Sequence, residues 1–149
     1  MTPMPDSEPL VLERTFDATV TRVWTALTHL DAIRQWFFQL PAFESRVGFE
    51  FGFTVECEGQ KYVHQCLVTE VVPESRLAYT WQYEGIKGES TITYELFAEG
   101  DKTRLRFTHA GLETFPKEPE FSREKFLEGW NWLVNDSLKA HLEGPIPTP

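Results

Sequence analysis

The residues of this sequence that could do chemistry are polar side chains set among aromatic ones. Tyr62, His64, Cys66 and Val68 alternate along one segment, and Leu77, Tyr79, Trp81 and Tyr83 along a second. Ile92, Tyr94 and Leu96 alternate along a third, and Leu105, Phe107 and His109 along a fourth. Successive strand residues point to opposite faces, so each set shares one side of its strand. A late helical stretch adds Trp130, Ser137 and His141 to that interior. Buried imidazole, hydroxyl and indole groups need partners, because each one left unpaired costs roughly 1–3 kcal/mol. A hollow holding water or a polar-headed ligand would satisfy several at once. The alternative is that the tyrosines reach the sheet rim and the histidines bond to backbone.

The acid–base candidates are His64, His109 and Glu70, yet the sequence sets no carboxylate next to either histidine. None of GxSxG, GxxxxGK and GxGxxG occurs, and Gly85-x-x-Gly88 reads as a turn. His29, His64, His109 and His141 are widely separated and there is no CxxC or HExxH, so neither a metal nor a cofactor is expected. With Glu58-Gly59 as a two-residue hairpin turn, Cys57 faces Gln60, and Cys66 lies about 20 Å away along the partner strand. That separation forbids a disulfide and leaves both thiols reduced.

The elements that must position these groups follow from periodicity. Leu10 to Phe16 alternates as a first strand with Leu10, Leu12, Arg14 and Phe16 on one face. Val20, Val23, Trp24 and Leu27 then recur at helical spacing, and a second helical turn covers Asp31 to Phe37. Leu40 to Val47 contains Pro41 and reads as a loop or ragged strand. Phe49, Phe51, Phe53 and Val55 alternate up to the hairpin turn, and the meander of the remaining sets follows. Glu120 to Leu142 is predicted as one long helix, with Phe126, Leu127, Trp130, Leu133, Val134, Ser137, Leu138 and His141 on one stripe. A sheet must receive that stripe. Trp132 falls on the opposite face beside Lys125, Glu128 and Lys139, where it would be exposed; a dimer contact, cover by the proline-rich tail, or a lone surface aromatic are the alternatives.

Bulk properties narrow the partners. A chain of 149 residues fits a single domain, taken as residues 10–143 between irregular arms at 1–9 and 144–149. A formal charge of −9 with 14 scattered Lys and Arg argues against nucleic acid, and no apolar run is long enough to span a membrane. Met1 to Pro9 has neither the basic start nor the apolar run of a secretory signal, so a cytoplasmic location is expected.

Several stretches together resemble the helix-grip (START-like, SRPBCC) superfamily, and within it the Hsp90-ATPase-activator-like branch. They are Val23-Trp24-Thr25-Ala26-Leu27-Thr28, Gln35-Trp36-Phe37, Arg46-Val47-Gly48-Phe49-Glu50-Phe51, the run Val71 to Trp81, the run Thr103 to Gly111, and Gly129-Trp130. The sequence departs at Asp17-Ala18-Thr19, where an Ala-Pro often opens the first helix, and at Ser137, where leucine is common. The resemblance implies an α+β helix-grip fold: a curved antiparallel sheet of about six strands around a long C-terminal helix, with two short helices after the first strand. It also implies a cavity between sheet and helix that binds a small apolar or amphipathic molecule. Phe51, Phe53, Tyr79, Trp81, Tyr94 and Trp130 would form its walls, and His64, His109 and Ser137 would orient a polar group. Access is expected near the Phe37 to Val47 loop. Binding is expected ahead of two alternatives: a chaperone-associated interaction protein, set lower because the sequence holds one domain without the additional amino-terminal domain of the eukaryotic activators, and a cyclase- or hydratase-like enzyme in the same cavity.

Overall fold

Glycine-marked turns cut the middle of the chain into a meander, and this meander builds most of the sheet. In the structure, a computed structural model that describes residues 8–143, β1 (Leu10–Phe16) is followed by α1 (Val20–Thr28) and α2 (Leu30–Trp36). β2 (Glu50–Cys57), β3 (Gln60–Val72), β4 (Arg76–Tyr83), β5 (Ile86–Glu99) and β6 (Lys102–Ala110) come next. All pair antiparallel in one six-stranded sheet of order β1-β6-β5-β4-β3-β2. The fold is α+β and of the helix-grip type. The proline-bearing segments Met1 to Ser7 and Gly144 to Pro149, which make up most of the two expected arms, lie outside the described residues.

The β2–β3 hairpin turns at Glu58 and Gly59, with φ of 52° and 78°. Positive φ at both central residues is what a tight turn matching strand twist requires. That turn fixes the register: Phe51 opposes Cys66, Phe53 opposes His64, Val55 opposes Tyr62, and Cys57 pairs with Gln60. The inward sets of the two strands therefore share one face, as the alternation predicts. Register shifts between Val68 and Glu70 and between Trp81 and Tyr83 mark bulges that bend β3 to β5 around the helix.

The C-terminal helix starts at Arg123, three residues later than the periodicity predicts. Pro119–Phe121 forms a separate 3₁₀ turn, and Ser122 caps the helix by accepting the Lys125 N–H at its hydroxyl. From α3 (Arg123–Trp130) the chain passes with helical backbone into a π-helical segment (Asn131–Leu138) and then α4 (Lys139–Glu143). Phe126, Trp130, Leu133, Val134, Leu138 and Leu142 are buried, while Ser137 and His141 are only partly so. Each π turn holds one residue more than an α turn, which delays the rotation and brings Leu142 under the sheet in place of His141. The π segment is tied to β1 through Arg14, which donates to the amide oxygens of Asn135 (2.9 Å) and Asn131 (3.1 Å). The short helices close the other side. Thr19 caps α1, the Trp36 indole donates to the Ala26 carbonyl at 2.7 Å, and Phe37–Val47 beyond α2 is irregular. Trp132 is 60% exposed, as its place opposite the stripe requires.

Candidate functional site

The sheet and the C-terminal helix do not close on each other everywhere. Under the β2–β3 hairpin they leave a cavity of about 370 Å³. Val55, Tyr62, His64, Trp81 and Tyr83 wall it from the sheet, and Lys125, Phe126, Gly129, Trp130 and Leu133 from the helix. Phe121 and Phe38 close the ends, while Glu58, Gln60 and Glu120 stand at the rim. Gly129 keeps the helix side open: a Cβ built there would meet nothing within 4 Å. A larger space, about 830 Å³, lies against outward-facing residues of β2 to β4 such as Gly52, Thr54, Gln65 and Thr80, touches Phe51, Phe53, His64 and Cys66 of the same strands, and is flanked by Gln39 and Pro41. Among the described residues no second layer covers those outward positions, so this open sheet surface shields a ligand from water less than the aromatic-walled cavity does.

Among the expected site residues, His64, Trp81 and Trp130 meet at this cavity. Phe53 supports them from behind, stacked on His64 with ring centres 4.3 Å apart. The His64 ring also packs edgewise against Tyr83 (4.7 Å) and Trp81 (4.8 Å). Its Nδ1 lies 3.0 Å from the Tyr62 carbonyl. Burial pushes its pKa down to about 4, partly offset by the carbonyls of Tyr62 and Phe53, so the ring is neutral at pH 7.

Phe51, Tyr79 and Tyr94 stand elsewhere. They surround a void of about 10 Å³ beneath α1 and α2, no more than a water molecule could enter, and the two tyrosine hydroxyls bond to each other at 3.0 Å. Burial raises both phenols. Ser137 is engaged as well: its hydroxyl donates to the Trp36 carbonyl at 2.7 Å, fastening α2 to the helix.

His109 lies behind the cavity wall at the centre of a closed chain of bonds. The Trp130 indole N–H donates to its Nδ1 at 3.0 Å, and its Nε2 lies 2.8 Å from the Ser90 hydroxyl. Ser90 gives its own hydrogen to the Trp81 carbonyl at 2.9 Å. The histidine must then be the donor to Ser90, so both ring nitrogens are committed and the ring is neutral. Burial holds its pKa down to about 3. A serine beside a histidine suggests nucleophilic catalysis, but here the serine hydrogen points away from the imidazole and no base is free to receive it. The arrangement instead locks Trp81 and Trp130, one from each layer, into a fixed wall.

The remaining candidates have structural partners. Glu70 pairs with Arg76 at 2.7 Å, and Arg76 pairs in turn with Glu95. Cys66 is buried and its thiol is pushed up by burial, which keeps it protonated. Among the described residues no cluster of His, Cys, Asp or Glu could hold a metal ion, and no helix is long and apolar enough to cross a membrane.

Phe38, Tyr62, Tyr83, Phe121 and Gly129 line the cavity without being among the expected site residues. Tyr62 was legible as inward-facing from its alternation with His64. Phe38 lies in an irregular segment where no period assigns a face, and Phe121 ends a separate 3₁₀ turn instead of following the helical period expected from Glu120.

A family model described as activator of Hsp90 ATPase homolog 1-like protein matches residues 17–143. Among solved structures, protein CV1439 from Chromobacterium violaceum is similar at 22% identity with a TM-score of 0.78, covering 92% of this chain and 97% of that one. CalU16 from Micromonospora echinospora is 28% identical with a TM-score of 0.68, covering 93% and 77%. DynU16, a protein of the dynemicin biosynthetic locus, is 26% identical with a TM-score of 0.73, covering 93% of this chain and 48% of its own. The curated proteins include no match.

Proposed function

The chain belongs to the activator of Hsp90 ATPase homolog 1-like family, and on that footing we propose that it binds a small, largely apolar molecule in the cavity between sheet and C-terminal helix. The observation that carries the reading is the cavity of about 370 Å³, within the range of small-molecule sites and walled mainly by aromatic side chains. Its two central indoles have their N–H groups engaged, Trp130 by His109 behind the wall and Trp81 by the Tyr83 oxygen within it. The two indoles then present only ring faces and edges to the space, which suits a largely apolar guest. The rim between Glu58, Gln60, Glu120 and Lys125 gives the entry, while Phe38, from the Phe37 to Val47 segment expected to give access, closes one end.

Gly129 supplies the test. Gly129→Leu sends a side chain into space where a Cβ meets nothing, and it removes a helical glycine that costs about 1 kcal/mol relative to alanine. The variant is expected to melt no lower than the parent and to lose the rise in melting temperature that hydrophobic ligands give the parent. A panel that raises both proteins equally, or neither, would count against the cavity as the site.

A further inference from the structure

The inner wall of the cavity holds two polar groups that the protein itself leaves half-used. The Tyr62 carbonyl can only accept, so the contact at 3.0 Å places the hydrogen on His64 Nδ1. His64 Nε2 is then an acceptor without a donor among the described residues, since the nearby Phe53 carbonyl can only accept as well. The Tyr83 oxygen accepts the Trp81 indole N–H at 2.9 Å, while its own hydrogen has no recipient among the described residues. The two rings are neighbours, with centres 4.7 Å apart, and both line the same space.

We infer that this pair selects a ligand carrying a neutral hydroxyl, which donates to His64 Nε2 and accepts from the Tyr83 phenol, and that the cavity rejects carboxylates. This rests on the cavity being the binding site. A hydroxyl is the smallest group that both gives and takes a hydrogen bond, so it completes both residues at once. A carboxylate cannot donate to Nε2, and it would shed its hydration with no opposite charge beside it. The cationic side chain of the lining, Lys125, lies near Glu128 at 3.7 Å and shares the lining with Glu58 and Glu120. Ionisation does not disturb the arrangement at pH 7, because burial keeps His64 neutral and pushes the Tyr83 phenol up to about 12.

The test uses 2-naphthol, naphthalene and 2-naphthoate, which share a ring system and differ in the group presented. Their affinities are measured at pH 7 by NMR titration of the full chain. We expect 2-naphthol to bind about tenfold or more tightly than naphthalene, and 2-naphthoate to bind more weakly than either. In Tyr83→Phe and in His64→Phe, which keep an aromatic ring in place, the ratio between 2-naphthol and naphthalene should fall toward one; if one variant fails to fold, the other carries the comparison. Equal affinity for 2-naphthol and naphthalene in the parent, or tightest binding of 2-naphthoate, overturns the hydroxyl assignment and leaves the cavity reading standing. Binding of none of the three overturns both.

Discussion

Two buried neutral histidines should make this protein lose stability in mildly acidic solution, well before its carboxylates titrate. His64 is held down to about 4 and His109 to about 3, both by burial. An unfolded histidine titrates near pH 6.5. The folded-state values are lowered, so the stability these groups contribute is fully present above about pH 6.5 and falls as the pH drops, because the unfolded chain takes up protons that the folded chain refuses. The loss levels off once each folded group protonates, near pH 4 for His64 and pH 3 for His109. At about 1.4 kcal/mol per unit of pH for each group, lowering the pH from 7 to 5 should remove about 2 kcal/mol per histidine, or about 4 kcal/mol for the pair. That is a large part of the roughly 5–15 kcal/mol that holds a typical domain together, and it corresponds to roughly 10 °C in melting temperature. His141, also lowered by burial and by the nearby Arg22, adds a smaller effect of the same sign. The assay is urea unfolding at pH 7, 6 and 5 for the parent, His64→Gln, His109→Gln and the double variant. Each single variant should lose about half of the pH dependence and the double variant most of it. A parent equally stable at pH 7 and pH 5, or a double variant that keeps the full dependence, would show that burial does not hold the two histidines neutral.

Other expectations concern the frame of the cavity. Gly52→Ala would drive a Cβ to 2.6 Å from the His64 carbonyl oxygen, which belongs to backbone and cannot swing aside, so β2 must shift from β3 at the cavity wall. A loss of about 2 kcal/mol in denaturant unfolding is expected, with altered amide shifts at His64. Ser90→Ala removes the acceptor for His109 Nε2 and frees the Trp81 carbonyl, both buried. It should cost roughly 1–3 kcal/mol and raise the mobility of the Trp81 and Trp130 indole resonances. Asn135→Ala leaves Arg14 with Asn131 and the Glu13 carbonyl and should cost about 1 kcal/mol by the same measure.

Much of the frame was legible because it depends on local pattern. The Glu58-Gly59 turn demands positive φ, and once it is placed, the pairing of Phe53 with His64 and Val55 with Tyr62 follows. Alternation likewise put Tyr79, Trp81, Tyr83, Tyr94 and His109 on the inner face, where they are buried. What alternation cannot encode is which buried polar groups satisfy one another. Tyr79 with Tyr94, and His109 with Ser90 and Trp130, are pairings across strands and layers that depend on bulges and on helix phase. The π segment was hidden for a related reason: a 3.6-residue period fits the stripe up to Trp130, and the widened turns beyond it are set by packing against β1 and α2 through Asn131, Asn135 and Ser137. The hollow itself, lined by Gly129, Trp81 and Tyr83 among others, is a matter of what two layers fail to fill.

The most direct test of the account is native mass spectrometry of the protein purified gently from its own source, with Gly129→Leu produced in the same host alongside. The parent is expected to carry a stoichiometric small molecule that is released on denaturation, and Gly129→Leu to travel at its bare mass. An equal load on both proteins would place the molecule outside the cavity, and a bare parent that also fails to take up added hydrophobic ligands would contradict the binding function.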